Sequence, residues 1–539
     1  MRLKINRRST GISPLQHRCI PSHPRLSLRT LCGLGVLAPS LALGWPGIAF
    51  AQVFQGRLIE AVLLTLQHEP NVAAANRQIA FSEGQLQTVR GEFDTVLDAG
   101  VATGQTRVPL IAALQAPGRT QVNARTTSYS VGSTTRLRSG MTIAPVLRVD
   151  HLHDNLNAAS EPANSQLALN VTLPLLRGRG VEINTASERA AREVLRSTEL
   201  AYRHTVSARI ASSANAYWDY LAALRALGIR AQSEARSLLL LEDARRLAKG
   251  DEIPQADVLQ NEAQVARDRG VRLAAEHTVT EARSALVIAM GVPGVDVMQL
   301  AAPLDEFPDL QPGDVTQLQA LSPAAPPAGR FDLMASHRRL SAAEILYDAV
   351  RKDPVSQLDL TVSLGYNGLV ENRSAFAAVE ALRRPASGFN ASVGVVYILP
   401  VQGNAQAGQL RQRAALADQA RIELEALLLS VKAGIAVQRS NLASAALQLE
   451  QQRRQVLLQA QVFANERKKY RLGLATVLDL LTAEERLTSD ELDVIGARRR
   501  LAQALVNYRF ETGTLLSADA DAEVHRLDLQ SLTTLPEAR

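Results

Sequence analysis

The stretch NAQAGQLRQRAALADQARIELEALLLSVKAGIAVQRSNLASAALQLEQQRRQVLLQAQVFANERKKYRL, residues Asn404–Leu472, decides the fold. It runs for 69 residues without a proline and is built from Ala, Leu, Gln, Arg and Glu, all strong helix formers. Leu427, Val431, Ile435, Leu442, Ala446 and Leu449 keep an apolar stripe at three- and four-residue steps, and Lys432, Arg439 and Gln448 mark the opposite face as wet. As one helix this stretch is roughly 100 Å long at 1.5 Å per residue. Such a helix cannot bury itself in one globular core, so it needs lateral partners, as in a coiled coil or a wall of helices.

Outward from this stretch, the sequence repeats its plan. Val181–Lys249 is a second proline-free run of 69 residues. Leu173-Pro174-Leu175 corresponds to Leu399-Pro400-Val401, Gly250 to Gly473, Asp257-Val258-Leu259 to Asp479-Leu480-Leu481, and Gly291 to Gly513. The spacing of these landmarks far exceeds a solenoid unit of about 20–50 residues, so it predicts an internal tandem repeat of one large unit. The first copy is assigned to residues 52–310 and the second to 330–516, with a Pro/Ala-rich linker at 311–329 and a polar, mobile tail at 517–539. Shorter helices are expected at Arg57–Arg90, Pro254–Met290, Arg330–Arg351 and Ala475–Thr512.

Between the helices the periodicity changes from 3.6 to 2. Leu97–Thr106, Gln166–Leu173, Gln357–Tyr366 and Phe389–Leu399 alternate apolar with small or polar residues, the pattern of half-buried strands. Four strands are too few to close a barrel, whereas three chains supply twelve, an even number within the range of membrane barrels. Thr126–Asp150, with Gly140 at its centre, is expected as an additional hairpin in the first loop. Pro174 and Pro400 mark strand-to-helix transitions, where a missing N–H costs little.

Charge and export signals agree with an envelope protein. Residues 1–51 hold a basic segment, an apolar run from Leu31 to Phe50 and a small-x-small site at Ala49-Phe50-Ala51, the layout of a secretory signal peptide. That segment contains seven of the 59 Lys and Arg and none of the 53 Asp and Glu, so the remainder is close to neutral. The overall basic balance therefore implies no nucleic-acid partner. Cys19 and Cys32 are the only cysteines and both fall in the leader, which leaves no disulfide framework or thiol nucleophile beyond it. No other segment reaches the ~18 apolar residues of a spanning helix, so a closed β-barrel is the membrane-crossing option. The sequence carries no zinc-protease signature, nucleophile elbow, phosphate loop or dinucleotide fingerprint. His151, His153 and Asp154 read as a solvated loop in preference to a metal site, and Arg498-Arg499-Arg500 as a wet helix face.

The ordered motifs Leu58-Ile59-Glu60-Ala61-Val62, Thr65-Leu66, Glu69-Pro70-Asn71-Val72, the Leu-Pro-Leu junctions, and Tyr470-Arg471-Leu472-Gly473 followed by Thr476-Val477-Leu478-Asp479-Leu480-Leu481 resemble the TolC-type outer-membrane efflux protein family over nearly all of residues 55–516. One departure is Phe93-Asp94-Thr95 in the first copy, where the second keeps Asp353-Pro354.

The resemblance implies a mixed α and β fold: a twelve-stranded outer-membrane barrel, four strands from each chain of a homotrimer, continuous with a long α-helical periplasmic barrel. It implies docking to a periplasmic adaptor protein and an inner-membrane pump, contact with outer membrane lipids, no cofactor and no enzymatic activity. The family's entrance constriction maps onto Asp479, with Thr482 in the companion position; the competing reading of Asp479 is a helix N-terminal carboxylate favoured by the macrodipole. The family's entrance latch maps onto Tyr470 and its acidic partner Asp257, while Ala475 and Ala256 stand where the latch arginine and threonine belong. One hydrogen bond of the latch is thereby retained and its cationic link lost, which predicts a more easily opened gate; simple packing is the other reading of Tyr470. Gly250 and Gly473 are expected to end the long helices in left-handed turns and to serve adaptor docking. An alternative of another class is a periplasmic coiled-coil scaffold or adaptor, which accounts for the helices but leaves the strands unused.

Overall fold

The computed structural model describes residues 54–111, 120–155, 162–294, 296–311, 329–371 and 388–516, with 316, 318, 382, 533 and 534 singly. The leader at 1–51, most of the 311–329 linker and most of the 517–539 tail lie outside the described residues.

In chain order the helices and strands are α1 (Leu58–His68), α2 (Pro70–Arg90), β1 (Val96–Pro109), β2 (Gln121–Arg136), β3 (Thr142–Asp154), β4 (Pro162–Pro174), α3 (Val181–Asn184), α4 (Ala186–Lys249) and α5 (Gln255–Met290). They continue with α6 (Phe331–Lys352), β5 (Gln357–Glu371), β6 (Gly388–Ile398), α7 (Asn404–Arg471) and α8 (Val477–Glu511). The second long helix stands where its proline-free run placed it, while the first, expected from Val181, is divided at Thr185 into α3 and α4. The opening helix is instead divided at Glu69-Pro70, because Pro70 has no N–H to continue the ladder and disfavours helical backbone at the residue before it. The chain forms two compact units, each drawing on both halves of the sequence: residues up to 73, 205–329 and from 431 on in one, 74–204 and 330–430 in the other.

The second of these units holds the sheet. It has six strands, all antiparallel, in the sequential order β1-β2-β3-β4-β5-β6. This corrects the expectation of four strands per chain. The segment expected as a hairpin in a loop is β2 and β3, and both of its edges are paired: β2 on β1 from Val96↔Thr134 to Pro109↔Gln121, β3 on β4 from Thr142↔Thr172 to His151↔Ala163. An isolated hairpin leaves two rows of backbone N–H and C=O groups open, and insertion between β1 and β4 satisfies both. Its Ser, Thr, Arg and Asp residues disguised it, yet a sheet with one polar face requires such residues at alternate positions. The β2–β3 ladder is interrupted where Ala144-Pro145 faces Ser133-Thr134, since proline donates nothing to a ladder.

The other unit is helical. α7 and α8 pack through Leu442, Ala446 and Leu449 against Ala497, Leu501 and Leu505, all fully buried. Within the expected wet face, Lys432 and Gln448 are exposed but Arg439 is half-buried. Leu318, from the linker, joins this cluster. Arg499, expected on a wet face, pairs with Asp219 of α4 at 3.2 Å. α4 meets α5 through Leu241, Ala244 and Val258. In α1, Leu58, Ala61, Val62 and Leu64 are buried. Gly291 ends α5 at φ +67°, where an added Cβ would lie 2.6 Å from the Glu69 Cα, so only glycine fits.

Candidate functional site: the helical turns and the two faces of the sheet

The turn between α7 and α8 is closed from both sides. At the end of α7, Gly473 takes φ +67° while Leu474 N–H donates to the Lys469 carbonyl and Gly473 N–H to that of Tyr470, a Schellman-type ending. At the start of α8, Thr476 Oγ1 accepts from Asp479 N–H at 3.2 Å, and Asp479 Oδ2 accepts from Thr476 N–H at 3.0 Å and from its hydroxyl at 2.6 Å. This is a capping box with aspartate in the glutamate position. The hydrogen bonds from Thr476 hold the Asp479 carboxyl below the usual carboxylate range, so it is ionised at neutral pH. Asp479 is exposed and Thr482, one turn on, is half-buried.

The turn between α4 and α5 uses the same closure one residue later than expected. Glu252 N–H donates to the Leu247 carbonyl and Asp251 N–H to that of Ala248. The left-handed residue is Asp251, at φ +56°, and Gly250 precedes it without a positive φ. A short polar side chain tolerates this conformation, so Asp251 takes the role expected of Gly250.

Tyr470 is buried in a cluster with Leu240, Val477, Leu480 and Leu481, and Ala475 packs against the same group. Its hydroxyl makes no hydrogen bond among the described residues. Burial raises its pKa first, with the nearby charges of Asp257 and Asp243 adding to it. The fold thus brings Tyr470 and Asp257 into one neighbourhood but leaves the expected hydrogen bond unmade within the chain. Asp243 is the acid that sequence reasoning missed: it is bound by Arg246 of its own helix and lies 3.6 Å from Arg471 of α7.

A buried polar network was also missed. Glu484 of α8 is 1% exposed and accepts from Ser233 at 2.9 Å, Arg236 at 3.0 Å and Thr488 at 2.8 Å. Beside it, Asp268 of α5 accepts from the Ser237 hydroxyl and from Gln264. Burial pushes the Asp268 carboxyl up, against the lowering effect of Ser237 and Gln264. A signal existed: Ser233 and Ser237 sit on the face of α4 that continues as Leu240, Leu241 and Ala244, and serines inside an apolar stripe announce buried polar partners.

Pro174 is the last residue of β4 and pairs with Asp359, and Pro400 follows β6 by two residues. Around these junctions Asp353 accepts from Gly178 N–H at 2.8 Å. Glu188 is buried and gathers Arg90 at 3.3 Å, Arg138 at 3.0 Å and Arg192 at 3.2 Å. The Arg138 hydrogen bond is the main cause that holds the Glu188 carboxyl low. His151, on β3, sets its ring edge-on to Tyr129 of β2 at 6.0 Å, so it belongs to the sheet and not to a loop. Among the described residues no group of three His, Cys, Asp or Glu side chains gathers as a metal set.

The register assigns each strand residue to one of two faces. One face carries Leu97, Ala99 and Val101 of β1, Tyr129 and Val131 of β2, Ile143, Leu147 and Val149 of β3, Leu167, Leu169, Val171 and Leu173 of β4. It continues with Leu360, Val362, Leu364 and Tyr366 of β5 and Phe389, Val393, Val395 and Tyr397 of β6. The opposite face carries Asp98, Gly100 and Gly104, then Ser128, Ser130 and Gly132, then Arg148 and Asp150, then Asn164, Gln166 and Asn170, then Thr361, Ser363 and Asn367, then Asn390 and Ser392. Val96, Val108, Val122, Val146, Leu152, Leu369, Val396 and Ile398 are its larger apolar exceptions. Much of the apolar face is open, with Leu97 80% exposed, Val131 60% and Val393 71%, while Val149, Ala163 and Val370 form a small buried cluster on it. Among the described residues no helix is long and apolar enough to cross a membrane.

Long paired helices and a six-stranded antiparallel sheet with one apolar and one polar face define the class of architecture. Residues 327–514 match the family described as Outer membrane efflux protein. The TolC-type resemblance in the sequence agrees with it. No curated protein sequence matches the chain. Among solved structures the fold is similar to the outer-membrane channel OprN at 17% identity and TM-score 0.61, over 85% of this chain and 90% of that one. It is equally similar to the CmeC outer membrane channel of Campylobacter jejuni, at 14% identity and TM-score 0.61 over 85% of each chain. The outer membrane protein VceC of Vibrio cholerae matches at 16% identity and TM-score 0.60, over 85% of this chain and 96% of that one.

Proposed function

We propose that this chain is the outer-membrane channel subunit of a tripartite efflux or type I secretion assembly, a passive conduit from the periplasm to the exterior. The observation that carries the reading is the amphipathic sheet in a chain whose residues 327–514 match the outer membrane efflux protein family. On β6 the apolar face runs from Phe389 to Tyr397, eight residue-to-residue steps or roughly 27 Å at about 3.4 Å each, close to the ~25 Å apolar band, flanked by aromatics, of membrane barrels. The family is one of channels and not of enzymes, and energy comes from a partner pump in the inner membrane.

In this reading the two halves are a tandem repeat, three copies close one barrel, and a periplasmic adaptor docks at the turns containing Gly250 and Gly473. The long α4 and α7 helices find in neighbouring copies the lateral partners that helices of that length require. Three copies of Asp479, each ionised and exposed, form a carboxylate ring at the periplasmic entrance. Such rings favour cations. Tyr470, Asp257 and Thr482 surround this entrance. A periplasmic scaffold accounts for the helices alone and leaves the apolar face of the sheet in water.

Single-channel recording on the purified protein in a planar bilayer tests both levels. The expected result is a cation-preferring channel whose preference weakens in Asp479→Ala. An unchanged preference makes Asp479 a helix cap only. Failure of correctly folded protein to insert overturns the conduit.

A further inference from the structure

The β2–β3 ribbon has no counterpart in the four-strand plan, and its placement is informative. An appendage on the loop after β1 has no reason to return to the helix-bearing end of the sheet. Here it does return. β2 runs back along the whole of β1, and the turn at Leu137–Met141 reaches the level where β4 passes into α3.

That turn is docked there by specific contacts. Gly140, at φ +95°, lies so close to the junction that an added Cβ would sit 2.3 Å from the Gly178 carbonyl oxygen. Gly180 N–H donates to the Ser139 carbonyl at 3.1 Å, Arg136 donates to Asn184 at 2.9 Å, and Arg138 pairs with the buried Glu188 while its guanidinium covers the Phe93 ring at 4.9 Å.

The ribbon also obeys the two-faced pattern of its neighbours. Tyr129, Val131, Ile143, Leu147 and Val149 share the apolar face with Val101 and Leu167, while Ser128, Ser130, Arg148 and Asp150 share the polar one. A ribbon in water has no need of an apolar face continuous with the strands on either side. A ribbon in a barrel wall requires it.

We propose that β2 and β3 are membrane-spanning wall strands, so that each copy contributes six strands and three copies close an eighteen-stranded barrel around a wider pore. This rests on the reading of the protein as a trimeric barrel. Six is even, so β6 of one copy meets β1 of the next antiparallel, and among the described residues neither edge strand has a second partner. Barrel diameter grows roughly linearly with strand number, so the pore is about half as wide again as that of a twelve-stranded barrel. Its lumen gains the Ser128, Ser130, Arg148 and Asp150 side chains of each copy.

The test is thiol accessibility in the full-length protein reconstituted in vesicles, with Cys19→Ser and Cys32→Ser as background and single cysteines introduced at Val131, Leu147, Ser130 and Asp150. Val393→Cys and Ser392→Cys on β6 are the reference pair. Each variant is first checked for the wild-type oligomer, and two positions per face guard against one that misfolds. The expected result is that a membrane-impermeant maleimide labels the 130, 150 and 392 variants and that labelling is lost at 131, 147 and 393. If 392 and 393 alternate while all four ribbon positions react, the ribbon lies outside the bilayer and the proposal is overturned with the channel intact. If 392 and 393 both react, the membrane-barrel reading itself fails.

Discussion

Asp268 shows how a single side chain in this wall of helices is tuned. Its carboxyl is buried and pushed up, with Glu484 adding a like charge nearby and Ser237 and Gln264 offering hydrogen bonds in compensation. A carboxyl whose folded pKa is raised contributes stability that is fully present below the usual carboxylate range and is lost as pH rises through the folded value. Asp268→Asn removes this penalty and keeps an acceptor for Gln264. The variant is therefore expected to be more stable than wild type at pH 7 by on the order of 1 kcal/mol, the scale of one buried hydrogen bond, and to lose that advantage at acid pH. Thermal unfolding followed by circular dichroism at the two pH values checks this. Asp479 is the opposite case: exposed, held low by its cap and charged throughout the neutral range. Its place at a helix N-terminus was legible in the sequence; the capping box it closes with Thr476 is what the structure adds. The unpartnered Tyr470 hydroxyl was not, since which groups face a buried phenol is decided by helices far apart in sequence.

At the scale of elements, the docked β2–β3 turn is the feature on which the six-strand sheet depends. Gly140 combines a positive φ with contact against backbone at the β4–α3 junction, so no side chain can be added without moving one of the two. Gly140→Ala is expected to cost about 1–3 kcal/mol, the range for a residue held in a disfavoured backbone region. Limited trypsin digestion reads the outcome, as faster cleavage at Arg136 or Arg138 than in wild type. The long helices, by contrast, were read from the absence of proline and the persistence of an apolar stripe, apart from the break at Thr185 that sets α3 off from α4. The strands expected at Leu97–Thr106 and Phe389–Leu399 were placed correctly as well, because period-two alternation is strong there. β2 and β3 fell short of recognition as wall strands because their alternation sets Thr, Ser and Arg against few large apolar residues, and Pro145 interrupts the pattern.

For the whole molecule, strand number sets the dimension that matters to cargo. On the proposed arrangement of six strands from each of three copies, neutral polymers added to a planar bilayer are expected to enter the membrane portion of the pore up to a hydrodynamic size about half as large again as a twelve-stranded barrel admits. Polymer-exclusion measurement of single-channel conductance gives that size directly. A cutoff at the twelve-strand value places the ribbon outside the wall. By itself the sequence determined the helices, the period-two strands and the near-neutral balance of residues 52–539, all of which follow from local spacing and composition. Tertiary structure alone decided that six strands share one sheet, that Asp251 and not Gly250 takes the left-handed turn, and that Glu188, Glu484 and Asp268 are buried among chosen partners. Local pattern fixes which face of an element is apolar; which edges pair, and which charges meet, depends on backbone groups and side chains that only the folded chain brings together.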